Sequence, residues 1–127
     1  MSRILVIDDE PAISALLKNI FEKYKFLVDA CNFGEDAVVQ SSHTKYDLII
    51  SDISMPVLNG VETIKKIRTG ELNKTTPVIF ITGSTGEEIV KEAWTLQPFE
   101  IMSKPITDIK AIVEKARAAI SKEDVLR

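Results

Sequence analysis

Five short apolar runs alternate along the chain with longer stretches whose apolar residues recur at helical spacing. The runs are Arg3-Ile4-Leu5-Val6-Ile7-Asp8, a weaker one over 26–31, Asp47-Leu48-Ile49-Ile50-Ser51-Asp52, Val78-Ile79-Phe80-Ile81-Thr82, and Phe99 to Met102. Uninterrupted apolar runs of this length predict strands buried on both faces, as inside a parallel sheet.

The intervening stretches carry helix signals. Asp9-Glu10-Pro11 opens the first, since proline at a first helical position loses no hydrogen bond, and Ile13, Leu16, Leu17, Ile20, Phe21 and Tyr24 follow on one face. Asn32 with Glu35 predicts a cap for a helix over 34–43, and Asn59 with Glu62 a cap for a helix striped by Val61, Ile64 and Ile67. Gly70 through Thr76 reads as a polar loop. Thr85 with Glu88 predicts a capped helix over 86–95, and Thr107 the cap of a last helix striped by Ile109, Ile112, Val113, Ala116 and Ile120. Five strand–helix alternations with short connections predict an α/β fold, a doubly wound parallel sheet covered on both faces. Ligand sites in such sheets lie at the carboxyl ends of the strands.

Composition narrows the class. At 127 residues, with a core over 3–120 and a polar tail at 121–127, one domain is expected, and 45% hydrophobic with 28% charged is an ordinary globular balance. A net charge of −3 without a basic block argues against direct nucleic-acid binding. The first apolar run is too short for a signal peptide or a membrane span, so no membrane insertion is expected. The single Cys31 excludes an intrachain disulfide and suits a reducing cytoplasm. It is expected to serve packing, and His43 to be solvated.

The candidate chemistry lies at the ends of the predicted strands. The first delivers Asp8 and Asp9, the third Asp52, the fourth Thr82 and the fifth Lys104. Taken singly these are a solvated acidic pair, a strand-end hydroxyl and a surface lysine; their shared rim is what points to a site. Three close carboxylates repel one another unless a cation intervenes. Hard oxygen donors without His or Cys favour Mg²⁺, with Mn²⁺ also admissible. Acids, a metal, a lysine and a hydroxyl together suit the handling of a phosphoryl group, with one carboxylate available to attack phosphorus.

These residues, together with Met55-Pro56, Gly60, Gly83 and Pro105, resemble the receiver domain of two-component response regulators over roughly 3–120. The resemblance implies the flavodoxin-like strand order 2-1-3-4-5 with five helices. It implies Asp52 as phosphoacceptor, Asp9 as direct Mg²⁺ ligand, Asp8 acting mainly through water, and the Ser54 carbonyl as a further ligand. Lys104 pairs with a phosphoryl oxygen, Thr82 swings to bond another, and the Lys104-Pro105 peptide is cis. The implied donor is a phosphohistidine on a histidine kinase or phosphotransfer protein, and the implied role is a signalling switch rather than an enzyme acting on a separate substrate.

Two positions depart from the family pattern. Ile101 stands where a tyrosine or phenylalanine is usual, which predicts a smaller shift of the last strand on phosphorylation. Gln97-Pro98 replaces the usual Gly-Ala, so a left-handed helix end falls on a residue less suited to it. Trp94 and Phe99 are candidates for a target-binding face of the fourth helix, fifth strand and last helix, or for cover of the core edge. Ser54 and Ser84, small and uncharged, predict neither strong help nor a strong block to hydrolytic water. Two other classes share parts of this pattern. A haloacid-dehalogenase-like phosphohydrolase has a second acid where Ser54 stands, and a flavodoxin-like flavin module has a Ser/Thr/Gly-rich loop where Asp9-Glu10-Pro11 stands.

Overall fold

The computed structural model describes residues 1–83 and 86–126, with side chains through Lys122. Strands and helices alternate as β1 (Arg3–Ile7), α1 (Pro11–Lys23), β2 (Leu27–Cys31), α2 (Gly34–His43), β3 (Leu48–Asp52), α3 (Gly60–Arg68), β4 (Val78–Thr82), α4 (Glu87–Thr95), β5 (Glu100–Ser103) and α5 (Ile109–Leu126). The strands form one parallel sheet in the order β2-β1-β3-β4-β5. Ile7 pairs with Ser51, Asp52 with Ile81, and Thr82 with Ser103, so the carboxyl ends of four strands meet along one rim.

Alternation along the strands divides the core in two. Ile4, Val6, Ile50, Ile79 and Ile81 face α1 and α5, meeting Leu17, Phe21, Ile112 and Ala116. Leu5, Ile7, Ile49, Val78 and Phe80 face the other way onto Ala37, Val61, Ile64 and Ala93 of α2, α3 and α4. Each large aliphatic or aromatic side chain withdrawn this way contributes about 1.5–3 kcal/mol before its ordering entropy is charged against it. The central strands β3 and β4 are buried at every position. That is why their carboxyl-end residues are rigidly placed.

Several local expectations are met. Pro11 occupies the start of α1 behind Glu10. Asn59 and Glu62 form a reciprocal capping box: the Glu62 N–H donates to Asn59 Oδ1 at 2.9 Å and the Asn59 N–H to Glu62 Oε1 at 3.0 Å. Gln97 does end α4 in the left-handed region, at φ 55°, with Pro98 following. The Lys104-Pro105 peptide is cis. His43 is exposed, and Cys31 packs half-buried against the core.

Others are corrected. Asn32 does not cap α2; Phe33 takes that position without a side-chain cap, because the Asn32 amide turns back to β1 and α1. The last helix is capped by Asp108, whose Oδ1 accepts from the Ala111 N–H at 3.0 Å, rather than by Thr107. The capping pair expected at Thr85 and Glu88, and the position of Ser84, lie outside the described residues. The polar loop over 70–76 holds a buried knot. Asn73 Oδ1 accepts from the Tyr46 N–H and the Thr76 hydroxyl, both at 2.9 Å. Its Nδ2 donates to the carbonyls of Ser41 and Thr44 at 2.7 and 2.9 Å. Four bonds from one side chain join the end of α2, the start of β3 and the approach to β4. No helix among the described residues is long and apolar enough to cross a membrane.

Candidate functional site

Asp8, Asp52 and Lys104 converge at the rim. Asp8 follows the last residue of β1 and is 1% exposed, while Asp52 ends β3 and is 4% exposed. Lys104 follows β5, and its backbone N–H donates to the Thr82 carbonyl at 2.9 Å, which ties the lysine to the end of β4. Its ammonium lies 3.0 Å from Asp8 Oδ2 and 3.0 Å from Asp52 Oδ2. The second oxygen of each acid is held by backbone: Asp8 Oδ1 accepts from the Glu10 N–H at 2.9 Å, and Asp52 Oδ1 from the Ser54 N–H at 3.3 Å. Each carboxylate is thus oriented by one oxygen and presents the other to the pocket.

The electrostatics follow from burial. Desolvation, reinforced by the negative charge of Asp8, pushes the Asp52 carboxyl above the usual range, against the pull of the Lys104 and Ser54 hydrogen bonds. For Lys104 burial works against the charged form, but hydrogen bonds to Asp52, Asp8 and Glu10 outweigh it and hold the ammonium well above an ordinary lysine. An isolated ion pair would move its two members apart. Here Lys104 is fixed as a cation, while Asp52 bears the cost of a charge at a dry strand end.

The remaining expected residues are close by. Thr82 ends β4, 7% exposed. Ser54 sits two residues past Asp52 with its N–H on that carboxylate. Asp9 is half-exposed on the turn after Asp8. Among the described residues, the group of acids placed so that one oxygen from each lies within 4.8 Å of the others is Asp8, Glu10 and Asp52. These are three hard oxygen donors with no His or Cys among them, a set that fits Mg²⁺.

Two residues escaped the sequence reading. In the sequence Glu10 reads only as the preface to Pro11, yet its Oε1 lies 3.1 Å from Lys104 Nζ. Asn32 donates from Nδ2 to the Asp8 carbonyl at 2.8 Å and to Ser14 Oγ at 2.9 Å, which fixes the turn carrying the first acids. Their signal was the polarity of both residues beside apolar runs. Nothing in the linear pattern gave their targets.

Gly60 explains the loop between Asp52 and α3. Its N–H donates to the Ile53 carbonyl at 2.7 Å, and a Cβ there would fall on the Asp52 carbonyl oxygen. Only a residue without a side chain lets the helix start this close to the strand end. Val57 in the same loop has φ 66° and is 85% exposed, a strained conformation for a β-branched residue. On the opposite side of the sheet order, Trp94 is 48% exposed on α4, whereas Phe99 packs against the core with Lys122 Nζ 5.9 Å from its ring centroid. Ile101 is half-buried against the α2–α4 side of the core.

Comparison with known proteins agrees with this geometry. A family model described as the response regulator receiver domain matches residues 4–117. The transcriptional regulatory protein CpxR homolog of Haemophilus influenzae is 33% identical over 123 residues, covering 91% of this chain and 52% of its own length. The transcriptional regulatory protein ResD of Bacillus subtilis is 30% identical, over 91% of this chain and 49% of its own. The chain therefore spans about half the length of these curated relatives. Among solved structures, the response regulator protein TrrA of Thermotoga maritima, in complex with Mg²⁺-BeF, is 31% identical with a TM-score of 0.80, over 94% of this chain and 99% of that one. A CheY-like receiver domain protein of Methanospirillum hungatei, 21% identical, shares the fold with a TM-score of 0.92 over 100% of this chain and 99% of that one.

Proposed function

The chain belongs to the response regulator receiver domain family, and from that premise we propose that Asp52 accepts a phosphoryl group from a phosphohistidine donor. It is a signalling domain of two-component systems, with a CheY-like fold and an acidic cluster at the phosphorylation site. The phosphohydrolase and flavin-module readings find no support in these matches. The observation that carries the proposal is the contact of Lys104 Nζ with Asp52 Oδ2 at 3.0 Å, on a carboxylate whose other oxygen is held by the Ser54 N–H.

In the proposed reaction Asp52 attacks phosphorus, a P–O bond forms, and the P–N bond of the donor breaks. The imidazole leaves with the bonding electron pair and takes up a proton. Asp52 enters as a desolvated anion, which favours attack, because its charge is poorly compensated where it stands. Lys104, kept cationic by its acidic neighbours, moves with the charge from the carboxylate to a phosphoryl oxygen. Thr82, at the neighbouring strand end, offers its hydroxyl to another. Asp8, Asp9, Asp52 and the Ser54 carbonyl would hold a Mg²⁺ ion, which would supply charge neutralisation for the phosphoryl group. The oxygen-only acids around the pocket and the Mg²⁺-BeF complex of the TrrA relative support that assignment.

Receiver domains interact with histidine kinases or phosphotransfer proteins. For this chain we place the downstream contact on the α4–β5–α5 face, where exposed Trp94 is the candidate anchor and the half-buried Phe99 supports it from the core edge. The chain itself makes no direct nucleic-acid contact in this reading, and it works in the cytoplasm. Exposure to acetyl phosphate and Mg²⁺, followed by intact mass measurement, tests the assignment. One phosphoryl adduct is expected, absent in Asp52→Asn. An adduct that survives the substitution, or none in the wild type, would overturn it. Structures with and without Mg²⁺-BeF test the readout: a large displacement around Ile101 would refute the muted shift expected there.

A further inference from the structure

We infer that Asn32 is a positioning residue of the metal site: its side-chain amide holds the peptide between Asp8 and Asp9, and so sets both acids for the cation. The inference rests on the receiver reading and extends it to a neutral residue outside the expected set. Asn32 touches neither the metal nor the phosphoryl group in this reading; it acts through Asp8 and Asp9.

The parallel register brings Asn32 to the turn. Ile7 pairs with Cys31, and the Asp8 N–H donates to the Cys31 carbonyl at 3.1 Å, so the first residue past β2 lies beside the first residue past β1. From there Asn32 Nδ2 donates to the Asp8 carbonyl at 2.8 Å and to Ser14 Oγ at 2.9 Å. The Ser14 hydroxyl donates in turn to the Pro11 carbonyl at 3.1 Å. A carbonyl only accepts, so the amide nitrogen is the atom that faces Asp8, and both of its N–H donors are engaged. One side chain thus ties the end of β1 to the first turn of α1, across the turn that carries Asp8 and Asp9.

The point of attachment decides the effect. Asp8 is 1% exposed, and a buried carbonyl stripped of its donor turns toward water rather than stay unpaired. The peptide that would turn is the one joining Asp8 to Asp9, so its tilt displaces both acids at once. Close acids repel one another, and that repulsion does nothing to favour the spacing a cation needs. Mg²⁺ asks for near-octahedral oxygens at about 2.0–2.1 Å and tolerates little misplacement. By holding a backbone oxygen, Asn32 leaves the carboxylate lone pairs of both acids to the cation and to Lys104. Being neutral, it adds no positive charge that would compete with the metal.

Calorimetric Mg²⁺ titration of the full chain and three variants tests this. Asn32→Ala changes no charge and removes the donor, so Mg²⁺ is expected to bind about tenfold more weakly, the lower end of what partners behind a metal's ligands are worth. Ser14→Ala keeps the bond to the Asp8 carbonyl and loosens only the tie to α1. It should lower the melting temperature as Asn32→Ala does, yet bind Mg²⁺ within about threefold of wild type. Asn32→Asp has the same size and no N–H to give, and its added negative charge would by itself attract the cation. Weaker binding in Asn32→Asp therefore reads the lost hydrogen bond and not a lost charge. The Mg²⁺ concentration for half-maximal acetyl phosphate labelling should rise with the dissociation constant in Asn32→Ala, while labelling at saturating Mg²⁺ returns to near the wild-type rate. An Asn32→Ala protein that melts lower but keeps the wild-type Mg²⁺ affinity would overturn the inference, because Asn32 is then a staple of the fold alone. So would a Ser14→Ala protein that loses as much affinity, or an Asn32→Asp protein that binds at least as tightly as wild type. A wild type that binds Mg²⁺ but takes no phosphoryl group counts against the proposed function alone, since the calorimetry still reads Asn32.

Discussion

Gly60→Ala tests how the start of α3 holds the phosphoacceptor in place. An added Cβ would fall on the Asp52 carbonyl oxygen and lie 2.9 Å from Ile53 Cα and 3.0 Å from the Asp52 carbonyl carbon. All three are backbone atoms at the end of a strand buried at every position, so none is a flexible side-chain tip that can step aside. Overpacking of this kind costs about 1–3 kcal/mol, and rigid neighbours place it in the upper half. Alanine recovers up to about 1 kcal/mol through helix propensity and a less disordered unfolded chain. The net loss is about 2 kcal/mol, which for a domain of this size lowers the melting temperature by roughly 8 °C.

The functional effect should exceed the loss of stability. The strain is relieved by moving the Asp52–Ile53 backbone away from α3, which turns the carboxylate off Lys104 and the Ser54 N–H. A displacement near 1 Å at a reacting atom costs on the order of a hundredfold in rate. Thermal melts and acetyl phosphate labelling followed by intact mass read the two effects separately. Gly70→Ala is the matched control: its nearest neighbour, the Ile67 carbonyl oxygen at 3.5 Å, is an ordinary contact, so a change within about 0.5 kcal/mol is expected. A Gly60→Ala protein that melts within about 2 °C of wild type and labels at the wild-type rate would refute the packing argument.

Asn73→Ala removes four hydrogen bonds and strands the buried Tyr46 N–H, a loss of about 3 kcal/mol by urea unfolding; a loss below about 1 kcal/mol would mean the knot is replaced by water. The Cys31 thiol, pushed up to about 11 by burial and by the charges of Asp36 and Asp29, is about one part in a thousand thiolate at pH 8. Its reaction with an aromatic disulfide should therefore rise about tenfold per pH unit up to pH 10, and a plateau below pH 9 would contradict the shift. Glu100 is held below the usual carboxylate range chiefly by the Lys115 hydrogen bond at 2.6 Å. A depressed acid contributes stability above its unfolded value and loses it as pH falls through the folded one. Glu100→Gln should thus cost about 0.5 kcal/mol at neutral pH and nothing in strong acid, and an undiminished difference at low pH would place its origin elsewhere.

The fold was legible because most of its determinants are local. Apolar runs ending on acids, Pro11 at a helix start and the Asn59–Glu62 box are all patterns within a few positions, and each appears as read. Reading failed where a polar side chain had a distant alternative. Asn32 has the spacing of a cap, but the Asp8 carbonyl and Ser14 hydroxyl, 24 and 18 positions away, compete for its amide and win. Asn73 reads as a loop residue by the same logic, since its partners at Ser41, Thr44 and Tyr46 come near only after the sheet has formed. A buried Asn inside a polar stretch has no one-dimensional signature.

The site divides along the same line. Asp8, Asp52, Thr82 and Lys104 each sit at the end of a strand, so the parallel sheet alone is enough to bring them to one rim. Glu10 belongs to no strand end. Its target lies 94 positions along the chain, and the side chain must cross the mouth of the pocket to reach it. Helix-start logic favours an acid there in any case, because the amino end of a helix is positive. An acid that complements the dipole of α1 and an acid that pairs with Lys104 therefore look identical in sequence. The geometry separates them: a dipole interaction leaves the carboxylate near its own helix, whereas Glu10 sends Oε1 to an ammonium 3.1 Å away that already carries Asp8 and Asp52. A third carboxylate on one lysine is more negative charge than neutralisation of that lysine requires. The surplus is what a divalent cation would balance.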